Sequence, residues 1–122
     1  MKKLNTLGFA LILATTAFFS QVAAAHASLK SSSPAAGATV EVAPKEISLT
    51  FSEKLEEAFS VVTVKDAAGK DVANAKAKVD AADGTTLHLE VPTLSSGAYS
   101  VQWVAVSHDG HRSTGDFKFT VK

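Results

Sequence analysis

Tyr99-Ser100-Val101-Gln102-Trp103 and, after a short polar stretch, Phe117-Lys118-Phe119-Thr120-Val121 are the two runs that decide how this chain folds. In each, large apolar residues alternate with small or polar ones. A period of two places every second side chain on one face of an extended strand, so each run predicts a strand with one buried face. Asp109-Gly110 stands between them, a strong signal for a hairpin turn. The same alternation recurs outward along the chain in Ile47, Leu49 and Phe51, in Val62 and Val64, and in Leu87, Leu89 and Val91. Helical periodicity is nearly absent. Between the runs lie Pro34-Ala35-Ala36-Gly37, Ala43-Pro44, Ala67-Ala68-Gly69-Lys70, Ala82-Asp83-Gly84 and Ser95-Ser96-Gly97, each carrying the Gly, Pro or Asp that turns require. The pattern predicts an all-β antiparallel sandwich of about seven strands. Ser52 to Phe59, with Glu53, Lys54, Glu56 and Glu57 around Leu55, is either a helical turn or a charged loop, and Ser31-Ser32-Ser33 a strand edge or loop.

The chain has 122 residues. Lys2 and Lys3, an apolar run from Leu7 to Phe19 and small residues to Ala25 have the form of a cleaved secretory signal, and the apolar run is short against the roughly 20 residues that cross a bilayer. The expected organisation is therefore a signal over 1–25 and one domain over 26–122. Cutting after Ala23-Ala24-Ala25 makes His26 the first residue of the mature chain; cutting after Ala27, the alternative, discards it. The precursor is formally neutral, and without Lys2 and Lys3 it has ten basic and twelve acidic residues. Nucleic-acid binding, which needs clustered positive charge, is not expected. There is no Cys, and the single Met is Met1. An exported chain of this composition has neither disulfides nor soft sulfur ligands, so a metal site must use imidazole, carboxylate or backbone groups.

Four histidines occur: His26, His88, His108 and His111. His88 lies between Leu87 and Leu89, which turns it to the outer face as a solvated surface residue. Ser107-His108-Asp109-Gly110-His111 is denser. It is a hairpin turn with incidental histidines or a site. Ser, His and Asp in immediate succession cannot converge as nucleophile, base and orienting acid, which excludes a hydrolase triad. Asp109 and His111, two residues apart, point to one side in extended chain, and His108 points away. A histidine at a free amino terminus offers both its α-amine and its ring Nδ1 to one ion. His26, Asp109 and His111 together supply three nitrogens and one oxygen, a set suited to tetragonal copper(II), one per mature chain.

On these residues the sequence resembles the CopC family of periplasmic copper-binding proteins. The resemblance is carried by His26-Ala27, Ser33-Pro34-Ala35, Ile47 to Glu53, Gly97 to Trp103, Asp109-Gly110-His111 and Gly115 to Val121, and it spans essentially the whole of 26–122. It implies a Greek-key β-sandwich or barrel of cupredoxin or immunoglobulin-like kind. It further implies a periplasmic copper(II) site at His26, Asp109 and His111, with the Glu53 carboxylate of Phe51-Ser52-Glu53 beside it, and an inner-membrane partner of the CopD type. The segment from Val64 to Thr86 has no Met, unlike members with a methionine-rich copper(I) site.

The function expected from these features is copper(II) buffering or delivery without substrate turnover. Two alternatives stand beside it. A histidine-brace copper oxidase would use the same terminal histidine but needs an equatorial position that Asp109 would fill. A metal-free sandwich for assembly would use Asp109-Gly110 only as a turn.

Overall fold

The computed structural model describes residues 27–73 and 75–122. Eight strands run in chain order as β1 (Leu29–Ser33), β2 (Thr39–Val40), β3 (Glu46–Phe51), β4 (Val61–Lys65), β5 (Lys78–Val79), β6 (Thr86–Glu90), β7 (Gly97–Val106) and β8 (Arg112–Val121). They form two four-stranded sheets, in the orders β1-β3-β6-β5 and β2-β8-β7-β4. The all-β sandwich expected from the alternation is the observed architecture. Of the three strands beyond the obvious runs, β2 and β5 have two residues each, too short to show a period. β2 is also the exception to antiparallel pairing: Thr39 and Val40 lie parallel to Thr120 and Val121.

Alternation sets the core as the physics of a half-buried strand requires. Ile47, Leu49 and Phe51 of β3 and Leu87 and Leu89 of β6 point inward from one sheet. Val62, Val64, Tyr99, Val101, Trp103, Ala105, Phe117, Phe119 and Val121 meet them from the other. Phe51 and Trp103 join the sheets edge to face, with ring centroids 5.0 Å apart and planes at 72°. Such a pair contributes about 0.5–1.5 kcal/mol beyond its buried area. Trp103 sits opposite Gly115 in the β7–β8 register. A Cβ at Gly115 would stand 2.3 Å from indole Cζ2, so the indole occupies space that only glycine leaves open.

The turn residues act where the sequence places them. Gly37, Gly69, Gly84 and Gly110 all have φ between 69° and 87°, the left-handed region that glycine enters without a Cβ penalty. Ser31 to Ser33 belong to β1, at the edge of its sheet. The charged stretch after β3 contains a 3-10 turn, Glu57–Phe59, and is tied to the β7 end by the Leu55–Ser107 bridge. The β7–β8 hairpin, ten residues on each side, closes at Val106–Arg112 and projects the loop Ser107 to His111 from one end of the sandwich.

Candidate metal centre

The loop is fixed by its own backbone before any side chain is considered. Ser107 N–H donates to the His111 carbonyl at 3.0 Å, and Gly110 N–H donates to the Ser107 carbonyl at 2.9 Å. His108 N–H reaches across to the Lys54 carbonyl at 3.1 Å, anchoring the loop to the charged segment after β3. Asp109 Oδ1 accepts the His111 N–H at 3.1 Å, an Asx turn that holds the carboxylate over the end of the hairpin. Ser107, only 2% exposed, donates its hydroxyl proton to the same Oδ1 in a short hydrogen bond.

Asp109 Oδ2 faces the other way and lies 2.9 Å from His111 Nδ1. The two side chains expected to share one side are thus in contact. Both stay accessible, with side-chain exposures of 54% for His111 and 40% for Asp109. The Asp109 carboxyl is held far below the usual carboxylate range, first by the Ser107 hydroxyl and then by the side chain and N–H of His111. It is a carboxylate at any physiological pH. Metal–nitrogen and metal–oxygen bonds of about 2.0–2.2 Å meeting at a right angle set neighbouring ligand atoms about 3 Å apart. The Oδ2 to Nδ1 separation matches that spacing.

His108 points away from this pair, as expected, with Nε2 3.8 Å from Glu56 Oε1. Glu53 is exposed and lines an open cleft with Ser52, Lys54, Thr85, Ser107, His108 and Asp109. It shares that cleft with Asp109, but among the described residues it makes no hydrogen bond to Asp109 or His111. His26 and the signal expected over 1–25 lie outside the described residues. The adjacent residue, Ala27, is 1% exposed, and its carbonyl accepts a 2.6 Å hydrogen bond from Ser113, two residues beyond His111. Ser28 and Ser52 pair by backbone and side chain, with Ser52 N–H to the Ser28 carbonyl and Ser28 N–H to Ser52 Oγ both at 2.9 Å. The start of the described chain is therefore tied to the same end of the sandwich as the loop. Among the described residues no group of three or more His, Asp or Glu side chains forms a metal site.

His88 departs from its expected surroundings. It is on the outer sheet face, as alternation requires, yet it is not merely solvated. Its Nδ1 makes a short contact with Glu46 Oε1, and its Nε2 lies 3.0 Å from Asp80 Oδ2. Ser48 Oγ stands 3.3 Å from Nδ1 and 2.9 Å from the Glu46 carboxylate. Partial burial disfavours the charged ring, but the two carboxylates together outweigh it and raise the His88 pKa. Glu46 is lowered by His88 and then Ser48; Asp80 is lowered by the Ala82 N–H and then His88. Its carboxylate partners are 42 and 8 residues away in sequence. Only the third dimension brings them together.

Residues 29–122 match the CopC domain family. The chain is 36% identical over 119 residues to protein YobA of Escherichia coli strain K12, covering 97% of this chain and 96% of that protein. Among solved structures it superposes on CopC from Methylosinus trichosporium OB3b with a TM-score of 0.76 at 36% identity, over 80% of this chain and 94% of that one. It superposes on PcoC, a methionine-rich copper resistance protein from Escherichia coli, with a TM-score of 0.71 at 38% identity, over 80% of this chain and 100% of that one.

Proposed function

The chain belongs to the CopC family, and on that premise we propose that it is a periplasmic copper(II)-binding protein that buffers the ion or hands it on without turning over a substrate. The observation that carries this proposal is the 2.9 Å approach of Asp109 Oδ2 to His111 Nδ1 on an exposed loop held by backbone hydrogen bonds. These two side chains would hold the ion through a carboxylate oxygen and a ring nitrogen. Its remaining ligands in the proposed site come from the amino terminus: a signal over 1–25 is removed, and His26 supplies its α-amine and ring nitrogen. The anchoring of Ala27 to Ser113 supports this, since it holds the neighbouring residue at the loop end of the domain.

The donor set is nitrogen and oxygen throughout, which favours copper(II) over the softer copper(I). With no Cys, and no Met besides Met1, the domain over 26–122 has no sulfur for a second, copper(I) site. PcoC is described as methionine-rich, and in that respect this chain differs. A single copper(II) per mature chain is therefore the proposed stoichiometry. A CopD-type inner-membrane protein is the proposed recipient. Glu53, which lines the same cleft as the carboxylate, is proposed to orient or hydrogen-bond a ligand.

Intact mass of the exported protein, with and without copper(II), tests the proposal directly. The expected result is a chain beginning at His26 that gains one copper. A start at Ser28 would remove the terminal chelate and refute the site. One additional residue ahead of His26 blocks the α-amine without altering a side chain, and should weaken binding nearly as much as His26→Ala. Because the α-amine and both imidazoles must be unprotonated to bind, affinity should fall steadily from about pH 8 to pH 5. Oxidation of polysaccharide by the copper-loaded protein, abolished in His26→Ala, would instead assign it to the brace oxidases.

A further inference from the structure

We infer that Ser107 is a positioning residue of this centre, which reserves Asp109 Oδ1 for the protein and presents Oδ2 alone to the metal ion. The inference rests on the proposed site and goes beyond it, by assigning different tasks to the two oxygens of one ligand. Ser107, the residue after β7, continues that strand's inward-facing run, and at 2% exposure it is buried where the neighbouring loop residues are not. A buried hydroxyl needs partners. Its proton goes to Asp109 Oδ1, with the His111 carbonyl 3.3 Å away as an alternative acceptor. The His111 N–H, 3.1 Å from Oδ1, is a second donor on the same oxygen.

Two donors on one oxygen have a geometric consequence. A carboxylate free to rotate can chelate an ion through both oxygens or swing away from it. Here rotation about the carboxylate bond would break the hydroxyl contact and the Asx turn together. Oδ2 is left directed at His111 Nδ1. The arrangement selects one-oxygen ligation and fixes its direction before the ion arrives, so less ordering is required on binding. The fold holds Ser107 in turn, by its own N–H on the His111 carbonyl and by its bridge to Leu55.

The test compares Ser107→Ala, Ser107→Thr and Asp109→Ala, using copper(II) alone in competition with a chromophoric chelator, with an electron paramagnetic resonance spectrum of each loaded protein. Loss of the hydroxyl should weaken copper(II) binding by about 10–100-fold, the range for removing a partner of a metal ligand, and should shift the copper hyperfine parameters. Ser107→Thr keeps the hydroxyl and should restore most of the affinity and the original spectrum. Unchanged affinity and spectrum in Ser107→Ala, beside a large loss in Asp109→Ala, would overturn the role of Ser107 and leave the site standing. No loss in Asp109→Ala would overturn the site itself. Infrared spectra of the unsubstituted protein, carrying isotope-labelled aspartate, supply a measurement that requires no substitution. Copper should produce the wide carboxylate splitting of one-oxygen ligation, and a narrow, two-oxygen splitting would refute the inference.

Discussion

Two clusters in this molecule combine histidine with carboxylate, and they are built for opposite ends. On the outer face of the β1-β3-β6-β5 sheet, His88 is clamped between Glu46 and Asp80, one carboxylate on each ring nitrogen. Strand backbone supports it: Ser48 and His88 are paired across β3 and β6, and Lys78 faces His88 across β5 and β6. Both ring nitrogens of His88 are engaged by carboxylates. At the loop end, Asp109 and His111 meet through one oxygen and one ring nitrogen, while the other carboxylate oxygen is taken up by Ser107 and backbone. Composition alone does not separate these clusters. The number of carboxylates per ring, and the direction of each, separates a structural clamp from a candidate ligand pair.

The comparison breaks most sharply on copper binding. His111→Ala should lower copper(II) affinity by more than the roughly 10–100-fold expected for a residue that merely supports a ligand, whereas His88→Ala should leave it nearly unchanged. Chelator competition on both variants decides it. Equal losses would mean that the clamp takes part in the site.

A smaller effect asks whether the loop pair depends on the sandwich beneath it. Gly115→Ala forces a methyl into the Trp103 indole, an overpacking that should destabilise the domain by about 1–3 kcal/mol in urea melts. The Asp109–His111 contact is set by the loop backbone, so copper affinity of the folded variant should stay within a few-fold. A large loss of affinity would show that the loop takes its geometry from the Trp103 packing.

The clamp itself should register in stability. His88→Ala removes hydrogen bonds to two carboxylates and leaves them without their shared partner; because the group is partly solvated, the expected loss is only about 1 kcal/mol by denaturant titration. No loss would reduce the clamp to surface decoration.

The smallest effect is the pH dependence of that same difference. The His88 pKa is raised above 6.5, so its contribution is complete below about pH 6.5 and disappears as pH rises through the raised value. Glu46 and Asp80 are lowered from 4.5 and 3.8, so their contribution is present above those values and disappears as pH falls through the lowered ones. The stability gap between the unsubstituted protein and His88→Ala should be widest between about pH 4.5 and 6.5 and shrink as pH rises through the raised His88 value. Copper binding should move in the other direction, strengthening as pH rises. The two clusters therefore answer to pH with opposite signs, and a gap that widens above pH 8 would contradict the clamp.

Period-two alternation is a local property of the chain, and it was enough to locate β3, β4, β6, β7 and β8 and to name the core residues that those strands bury. Asp109 and His111 were paired in sequence by a spacing that assumes extended chain; in the structure they meet instead through the local geometry of a turn around Gly110. Hydrogen-bonding partners distant in sequence leave no such trace. Nothing in Leu87-His88-Leu89 announces that Glu46 and Asp80 will close on the ring, because that contact follows from the pairing of β3 with β6 and the course of the chain after β5. Ser107 looked like a loop residue beside a histidine, and its burial became visible only once β7 was seen to run on to Val106 and the Leu55 segment to cover its end. β2 and β5, at two residues each, are strands only because a longer neighbour supplies the hydrogen-bonding edge. Sequence periodicity determined the strands with their buried faces and the Asp109–His111 contact, since both are decided within a few bonds of the residues concerned. The tertiary structure decided which polar groups are shielded and which carboxylate oxygen faces which nitrogen, since burial and direction depend on chain segments that only folding brings together.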